Sequence, residues 1–588
     1  MKTVQAAARA SLPSRAGGSA GRERVVAACA RAGILPLLPL SLAATALAAF
    51  AAAHQARLDS DGVQSMLAAL SIVRGNVLLS GWLLARDNFF FTDTLPFAAF
   101  IRLFGDRTAA LAIVPAGIYA LIVALCVGAS LRSLRLTGGN LAALAMALLL
   151  VGLPAAGLVY APLLIPDAHG ASCLFALATL LMLAALAKSP RLRDRPVLLT
   201  AFAATVFTAV MSDPYTLVFA FLPAMAVLGV EMLAGADAWR ALRLLVLLGA
   251  LCLLGASGQL VMVGLGGFFT RPSINTAFIP ADRLGGNVVA FVLGLLYSSG
   301  ADIFGGHAFA AGTIANATRF AAWLLGAAAV TVRLRRICRT GWDGLLDRLL
   351  LAAVVLGAAA CVLSNMFSFS ARNIYGLPLL EDGGSTVWIG GYATRYVGPI
   401  MVLAALLAMR SVPDMIAALP TRRFRVAAAG VLALAAAGLA VAHTRSAAAI
   451  AAGPSWAERN EYTDAARWLR ARHLTCGVGD YWNASIFTVL THGAVTVRPL
   501  DGNLYGALHP FVWIASSRWY GGTTSPGFAI WRDGDDSTLF GFDLATVSGV
   551  YGTPLRVERF GRFTVAVLPP DPPRSAPTVR CPPAGGGP

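Results

Sequence analysis

The stretch "GILPLLPLSLAATALAAFAAAHQARLDSDG", Gly33 to Gly62, decides how the rest of the chain is read. Residues 33–53 carry no charge and are long enough, as a helix, to cross a hydrocarbon core of about 30 Å. Two carboxylates, Asp59 and Asp61, follow just past its end, in a chain with only 29 acidic residues among 588. Carboxylates beside lipid cost desolvation energy unless they are paired or face water. They are therefore candidate functional groups.

Comparable apolar runs recur near 108–131, 141–160, 170–187, 196–211, 214–233, 240–264, 318–337, 344–367, 393–410 and 424–443. With 57% hydrophobic and 13% charged residues, this is the composition of an integral membrane protein. The expected fold is an all-α polytopic membrane domain of about eleven transmembrane helices, followed by a small C-terminal α/β extracytoplasmic domain. The expected boundaries are a basic cytoplasmic N-terminus over 1–32, a transmembrane domain over 33–443 with a large first outer loop at 54–107, and a soluble periplasmic domain over 444–588.

The formal charge of +17 is not spread evenly. From Thr444 onward 13 Arg face 11 Asp and Glu, so the excess belongs to the N-terminus and the loops between apolar runs. Connections such as "LRSLRLTGGN", "AKSPRLRDRP" and "RLRRICRTGWDGLLDR" are cytoplasmic by the positive-inside rule, which leaves 54–107, "APLLIPDAHG", "SDP", 265–317 and 368–392 outside. No basic face with interleaved aromatics appears, so nucleic acid is excluded as a partner; membrane lipids are expected ones. Met66–Val73 and Asn287–Tyr297 have the pattern of helices lying along the outer interface. The bacterial inner membrane, with the C-terminal domain in the periplasm, is the expected location.

In the C-terminal region "EYTDAARWLRARH" reads as a helix with Tyr462, Ala466 and Leu469 on one face. "AVTVRPL" reads as a strand and "LRVERFGRFTVAVLP" as a hairpin turning at Phe560-Gly561-Arg562. Eight cysteines show no C-x-x-C pair. Cys476 and Cys581 fall in this outer region, where a disulfide between them is as feasible as two unpaired thiols.

Asp59, Asp61, Asp87 and Asp93 cluster in the first outer loop. Asp61 directly precedes a helical run and is explained as well by helix capping as by function, whereas Asp59 is not at the cap position. A carboxylate here can take a proton from a hydroxyl nucleophile or orient it. On the same side lie Asp167 and His169 in "IPDAHG", Asp213 in "SDPYT" as a weaker candidate that also breaks a helix, and the cations Arg271, Arg372 and Arg395, the last followed by Tyr396. Arg suits phosphate because its planar fork donates two parallel hydrogen bonds; interfacial anchoring is the competing explanation. "CGVGDYWNAS" and "SSRWYGG" combine aromatics with polar groups, as in a carbohydrate platform or in the core of a small domain.

"ARLDSDG" after the first helix, then "DNFFFTDTLPFAAFIRLFGD", resembles the polyprenyl-phosphate-sugar-dependent glycosyltransferases of the GT-C superfamily. "GYATRYVGPIMVL", Gly391 to Leu403, is similar to the Arg-Tyr motif of the branch containing protein mannosyltransferases and lipid A aminoarabinose transferases. The chain departs from that branch in having "FFFTDTLPFAAF" where a Pro-Pro or His-Pro element is usual. The resemblance implies a catalytic acid at Asp59 or Asp61, and donor phosphate bound by Arg395 and Tyr396 with Arg372 and Arg271. It also implies transfer of a sugar from a polyprenyl-phosphate donor to a glycan, lipid or protein acceptor on the outer face. Consistently, the chain has no GxxxxGK[ST] phosphate loop. A transporter or flippase for lipid-linked glycans and a non-catalytic membrane assembly protein are the alternatives. No cofactor is required; a divalent cation held by the acidic pair with a later carboxylate or His is feasible and unassigned.

Overall fold

A computed structural model of the chain describes residues 34–581 except 57, 59, 106, 155–162, 190, 236, 272–276, 302, 304–310, 341–343, 366–375, 383–384, 391–393, 456–457, 459–460, 503–507 and 534–540. Each expected apolar run carries a described helix. Eight are long and apolar enough to cross a membrane, and three more, over 138–152, 170–186 and 196–212, are apolar but shorter.

In chain order these begin with α1 (Leu37–Gln55), then α2 (Ser60–Val73) and strand β1 (Trp82–Ala85). A π-helical turn, Phe90–Thr94, leads into α3 (Leu95–Phe104). The bundle continues with α4 (Arg107–Ser130), α5 (Gly138–Ala147), α6 (Gly170–Leu186), α7 (Pro196–Ser212), α8 (Leu222–Ala234) and α9 (Ala238–Gly264). After β2 (Phe269–Arg271) come α10 (Leu284–Ser298), α11 (Ala311–Thr340) and α12 (Leu345–Leu363), and a hairpin of β3 (Gly376–Asp382) and β4 (Ser385–Gly390). The bundle closes with α13 (Thr394–Ala417) and α14 (Arg422–Ala452).

Burial ranks these helices. The Arg395–Ala417 stretch of α13 is 78% buried, against 17% for α14. Helix α13 is thus the axis of the bundle, packed on α5, α11 and α12, while α14 presents most of its apolar surface outward. A helix apolar all round is stable only with lipid or protein on every side.

The C-terminal region contains α15 (Tyr462–Ala471), β5 (Cys476–Asp480), α16 (Tyr481–Leu490), β6 (Thr496–Asp501), β7 (His509–Pro510) and β8 (Ala515–Ser516). It ends with β9 (Tyr520–Thr524), β10 (Phe528–Arg532), α17 (Leu544–Tyr551), β11 (Arg556–Phe560) and β12 (Phe563–Val567). The six-stranded sheet runs β11-β12-β10-β5-β6-β7, with β5 parallel to β6 and β10. Tyr462, Ala466 and Leu469 of α15 are buried as expected from their spacing. The hairpin turns at Gly561-Arg562, with Phe560 opposite Phe563. Cys476 and Cys581 form a disulfide between the start of β5 and the C-terminal tail.

Two features lock this region to the bundle. A small sheet of order β2-β1-β8 joins the segment between α2 and α3 both to the segment after α9 and to the C-terminal region, with Leu84 opposite Thr270 and Trp82 opposite Ser516. In addition, Val63, Met66 and Leu70 of α2 share one hydrophobic core with Phe487, Val497, Phe528 and Phe563. Helix α2 is therefore wedged between bundle and sheet.

Candidate functional site

Local sequence sets up the site through three short loops. In "DNFFFTD" the Asn88 carboxamide accepts from the Phe90 N–H at 3.0 Å and donates to the Met211 carbonyl at 2.8 Å. The Phe89 N–H donates to the Ser212 carbonyl and the Phe91 N–H to the Ser212 hydroxyl, so the π-helical turn is pinned to the end of α7. In "IPDAHG" both Asp167 (φ 61°) and His169 (φ 63°) adopt the left-handed region, as does Phe89 (φ 50°). Non-glycine residues there carry strain that a protein keeps mainly at functional sites. Gly170 follows because a Cβ would meet the Leu163 carbonyl oxygen at 2.6 Å.

These loops bring carboxylates together in two linked groups. The first surrounds α2. Its Ser65 hydroxyl donates to Asp167 Oδ1, its Ser65 N–H reaches Asp167 Oδ2 at 3.3 Å, and the Ser65 and Thr94 hydroxyls are 3.2 Å apart. Asp93, beside Thr94, is buried with Oδ2 unpartnered. Burial pushes the Asp93 carboxyl up to about 6, partly offset by the nearby Thr92 hydroxyl and Asp167 N–H dipoles. Burial, then the neighbouring Asp93 charge, raises Asp167 well above the usual carboxylate range. Asp61 adds to that repulsion and is itself held by the Tyr481 hydroxyl, the first residue of α16.

The second group centres on His169, whose Nδ1 lies 2.6 Å from Asp213 Oδ2 with both side chains fully buried. Burial alone would raise Asp213, but the His169 charge and hydrogen bond, with the nearby Ser172 hydroxyl and the Tyr215 N–H, bring it below the usual range. An ionised Asp213 fixes the proton on Nδ1 and leaves His169 Nε2 buried without a partner. The imidazole sits among the rings of Phe89, Tyr215 and Tyr396, at 5.5, 5.0 and 5.2 Å. At the start of α13 the Arg395 guanidinium lies 4.9 Å above the Tyr396 ring and donates to its hydroxyl at 2.9 Å. Asp87, raised by burial and lowered by the Arg395 and His169 charges, completes the group. One buried patch thus offers a cation fork, an imidazole with a free nitrogen and several carboxylates. That set can hold a phosphate and accept a proton from a hydroxyl.

Of the residues expected from the sequence, Asp61, Asp93, Asp167, His169, Arg395 and Tyr396 meet in these linked groups. Arg271 is exposed on β2, opposite Ala85 and two residues short of Asp87. Asp59 and Arg372 lie outside the described residues. The capping argument is corrected: the helix starts at Ser60, so Asp61 sits inside its first turn, where the helix dipole favours a carboxylate, and no longer yields priority to Asp59. Asp213, valued mainly as a helix breaker, does both jobs: Oδ1 accepts from the Tyr215 N–H at 3.0 Å while Oδ2 holds His169. Ser65, Thr94 and Asp87 were missed or discounted. "CGVGDYWNAS" is largely core, with Asp480 and Asn483 buried against each other, although Tyr481 reaches Asp61. Among the described residues no three His, Cys, Asp or Glu side chains are grouped as metal ligands.

No family model matches the chain, and no curated protein matches it in sequence. The solved structures that match in fold include ArnT from Cupriavidus metallidurans bound to undecaprenyl phosphate, and the same protein in the apo state. Each aligns with a TM-score of 0.51 at 12% identity, over 91% of this chain and 97% of the other. The likeness is therefore one of fold, and it extends across bundle and C-terminal region alike.

Proposed function

We propose that the protein is a membrane glycosyltransferase that moves a sugar from a polyprenyl-phosphate donor to a hydroxyl of a glycan, lipid or protein acceptor on the outer face of the membrane. The observation that carries this reading is the meeting of Arg395, Tyr396 and the His169–Asp213 pair with the carboxylates of the first outer loop. The lipid undecaprenyl phosphate named for the ArnT structure is of the class that such a donor would leave behind after transfer.

In this reading Arg395 grips the donor phosphate bidentately, and the Tyr396 ring fixes the plane of the fork. His169 Nε2, held in one tautomer by Asp213, contacts the same phosphate or the sugar. Asp61, in the first turn of α2, takes the acceptor proton; Asp59 is the other candidate for that step. As the acceptor oxygen bonds to the anomeric carbon, the bond from that carbon to the phosphate oxygen breaks. The electron pair leaves with the polyprenyl phosphate, where Arg395 offsets the added charge, and the configuration inverts. The buried Asp93–Asp167 pair stays partly protonated and limits the negative charge facing the phosphate. With the N-terminus in the cytoplasm of a bacterial cell, the site faces the periplasm.

The test is transfer of radiolabel from a polyprenyl-phosphate sugar by the purified protein in proteoliposomes. Asp61→Asn, His169→Asn and Arg395→Lys should remain folded and lose roughly a hundredfold or more in rate. Full transfer by Asp61→Asn and Arg395→Lys alike would overturn the reading, as would lipid-linked sugar crossing the bilayer without transfer.

A further inference from the structure

A second polar concavity lies away from the site just described, where the C-terminal half of α2 meets the C-terminal region. Its volume is about 230 Å³, and its walls include Arg74, His492, Arg498 and Arg518 together with Trp82 and Trp519. Among the described residues no carboxylate lines it. Guanidinium groups gathered around one small cavity repel each other, and an anion placed among them would offset that repulsion.

Arg498 makes the point most sharply. It stands on β6, all of whose residues are buried, and is 9% exposed. Its Nε donates to the Arg580 carbonyl at 3.3 Å, and its guanidinium carbon lies 4.4 Å above the Trp519 ring. Among the described residues no carboxylate pairs with it. Burial, with the Arg74 charge acting the same way, lowers its pKa to about 10. A buried cation without a counter-ion is costly, and a protein that keeps one has a reason to. Arg518 is placed by the bare backbone of Gly81, where a Cβ would meet its side chain at 3.0 Å.

The aromatic half of the cavity narrows the ligand. Trp519 stands edge-on to Trp82 at 5.2 Å, and the Trp82 indole N–H is engaged by the Ser71 hydroxyl at 3.3 Å, so both indoles are fixed. Trp82 is almost wholly buried and backs Trp519, whose half-buried indole beside charged donors matches the apolar face and polar edges of a sugar ring. The volume falls below the roughly 300–1,000 Å³ of sites for larger molecules, which suits one ring and its substituent.

We propose that this cavity binds an anionic saccharide, one sugar ring bearing a phosphate or a carboxylate, between the Trp82–Trp519 pair and the Arg74–Arg498–Arg518 cluster. Ten residues of α2 separate Asp61 from Ser71 at the cavity wall, about 15 Å of helix. Service as an outer subsite for an acceptor glycan rests on the glycosyl-transfer reading; the binding itself does not.

The experiment is calorimetric titration of the full-length protein in nanodiscs with glucose 6-phosphate, glucuronate, glucose and inorganic phosphate. Glucose 6-phosphate or glucuronate should bind roughly tenfold or more tightly than glucose and than inorganic phosphate. The double variant Arg74→Gln, Arg518→Gln alters exposed side chains only, so it should keep the wild-type unfolding midpoint while losing roughly tenfold in affinity. Asp61→Asn should bind as the wild type does, which separates this site from transfer. Equal binding of glucose or inorganic phosphate, absence of binding, or a double variant of undiminished affinity would each overturn the proposal.

Discussion

Replacing Asp93 by Asn should make the protein more stable at alkaline pH, although the residue is buried and polar. Its carboxyl is raised from 3.8 to about 6, first by burial, with the nearby Asp213 charge adding to the effect. A carboxyl that binds its proton more tightly folded than unfolded costs nothing below pH 4. Its ionisation penalty grows as pH climbs from about 4 to about 6. Two pK units correspond to about 3 kcal/mol, and sharing the repulsion with Asp167 brings the expected gain to about 1–3 kcal/mol. Asn retains one acceptor for the Asp167 N–H and puts an amide where the unpartnered Oδ2 now lies. Thermal unfolding in detergent, followed by tryptophan fluorescence, reads this out. The Asp93→Asn midpoint should exceed wild type by about 2–4 °C at pH 8 and match it at about pH 3. An equal loss of stability at both pH values would refute the reasoning, because it would make the carboxylate a required acceptor and not a charge held against its preference.

The other predictions concern parts remote from that pair. Arg333 bridges Asp347 on α12 and Asp414 on α13, joined by Arg410, Arg336 and Arg132. Arg333→Gln should cost about 1–3 kcal/mol in denaturant unfolding, since two buried carboxylates lose a shared cation while Asp347 keeps Arg410 and Asp414 keeps Arg336 and Arg132. Fifteen residues of α13, about 22 Å, separate Arg395 from Arg410, so surviving protein should transfer with unchanged KM. The Cys476–Cys581 disulfide spans 105 residues, and Cys476→Ser should destabilise the C-terminal region by about 2–5 kcal/mol. Limited proteolysis of the full chain, reading cleavage between β5 and β12, checks the direction.

Helices were legible because lipid demands long uninterrupted apolar runs, a pattern that needs no knowledge of what packs where. Helix α13 shows the limit of that reading: nothing in "TRYVGPIMVLAALLAM" distinguishes the axis of a bundle from a lipid-facing span, because both are apolar all round. The hairpin at Gly561 was legible from alternation and a turn residue, both local signals. The site divides in the same way. Asp61, Asp167, His169 and Arg395 stood out as polar residues at the ends of apolar runs. The pairing of His169 with Asp213, 44 residues away, has no spacing signal, and Asp213 carried a sufficient local explanation as a helix breaker. Ser65 was hidden in an apolar helix whose pattern suggested lipid contact. Arg498 was hidden in a strand whose alternation implied one exposed face, whereas both faces are covered.

The shared core of α2 and the sheet has a consequence for how such proteins can be recombined. A chimera that exchanged residues 444–588 for the equivalent part of another chain would strip the roof from Val63, Met66 and Leu70 and leave β1 without its β8 neighbour. The helix bearing Asp61 would then lose the surface that sets its position. The C-terminal region and the placement of Asp61 are thus inherited as one block, and a graft that respects only the end of the last apolar run would preserve neither.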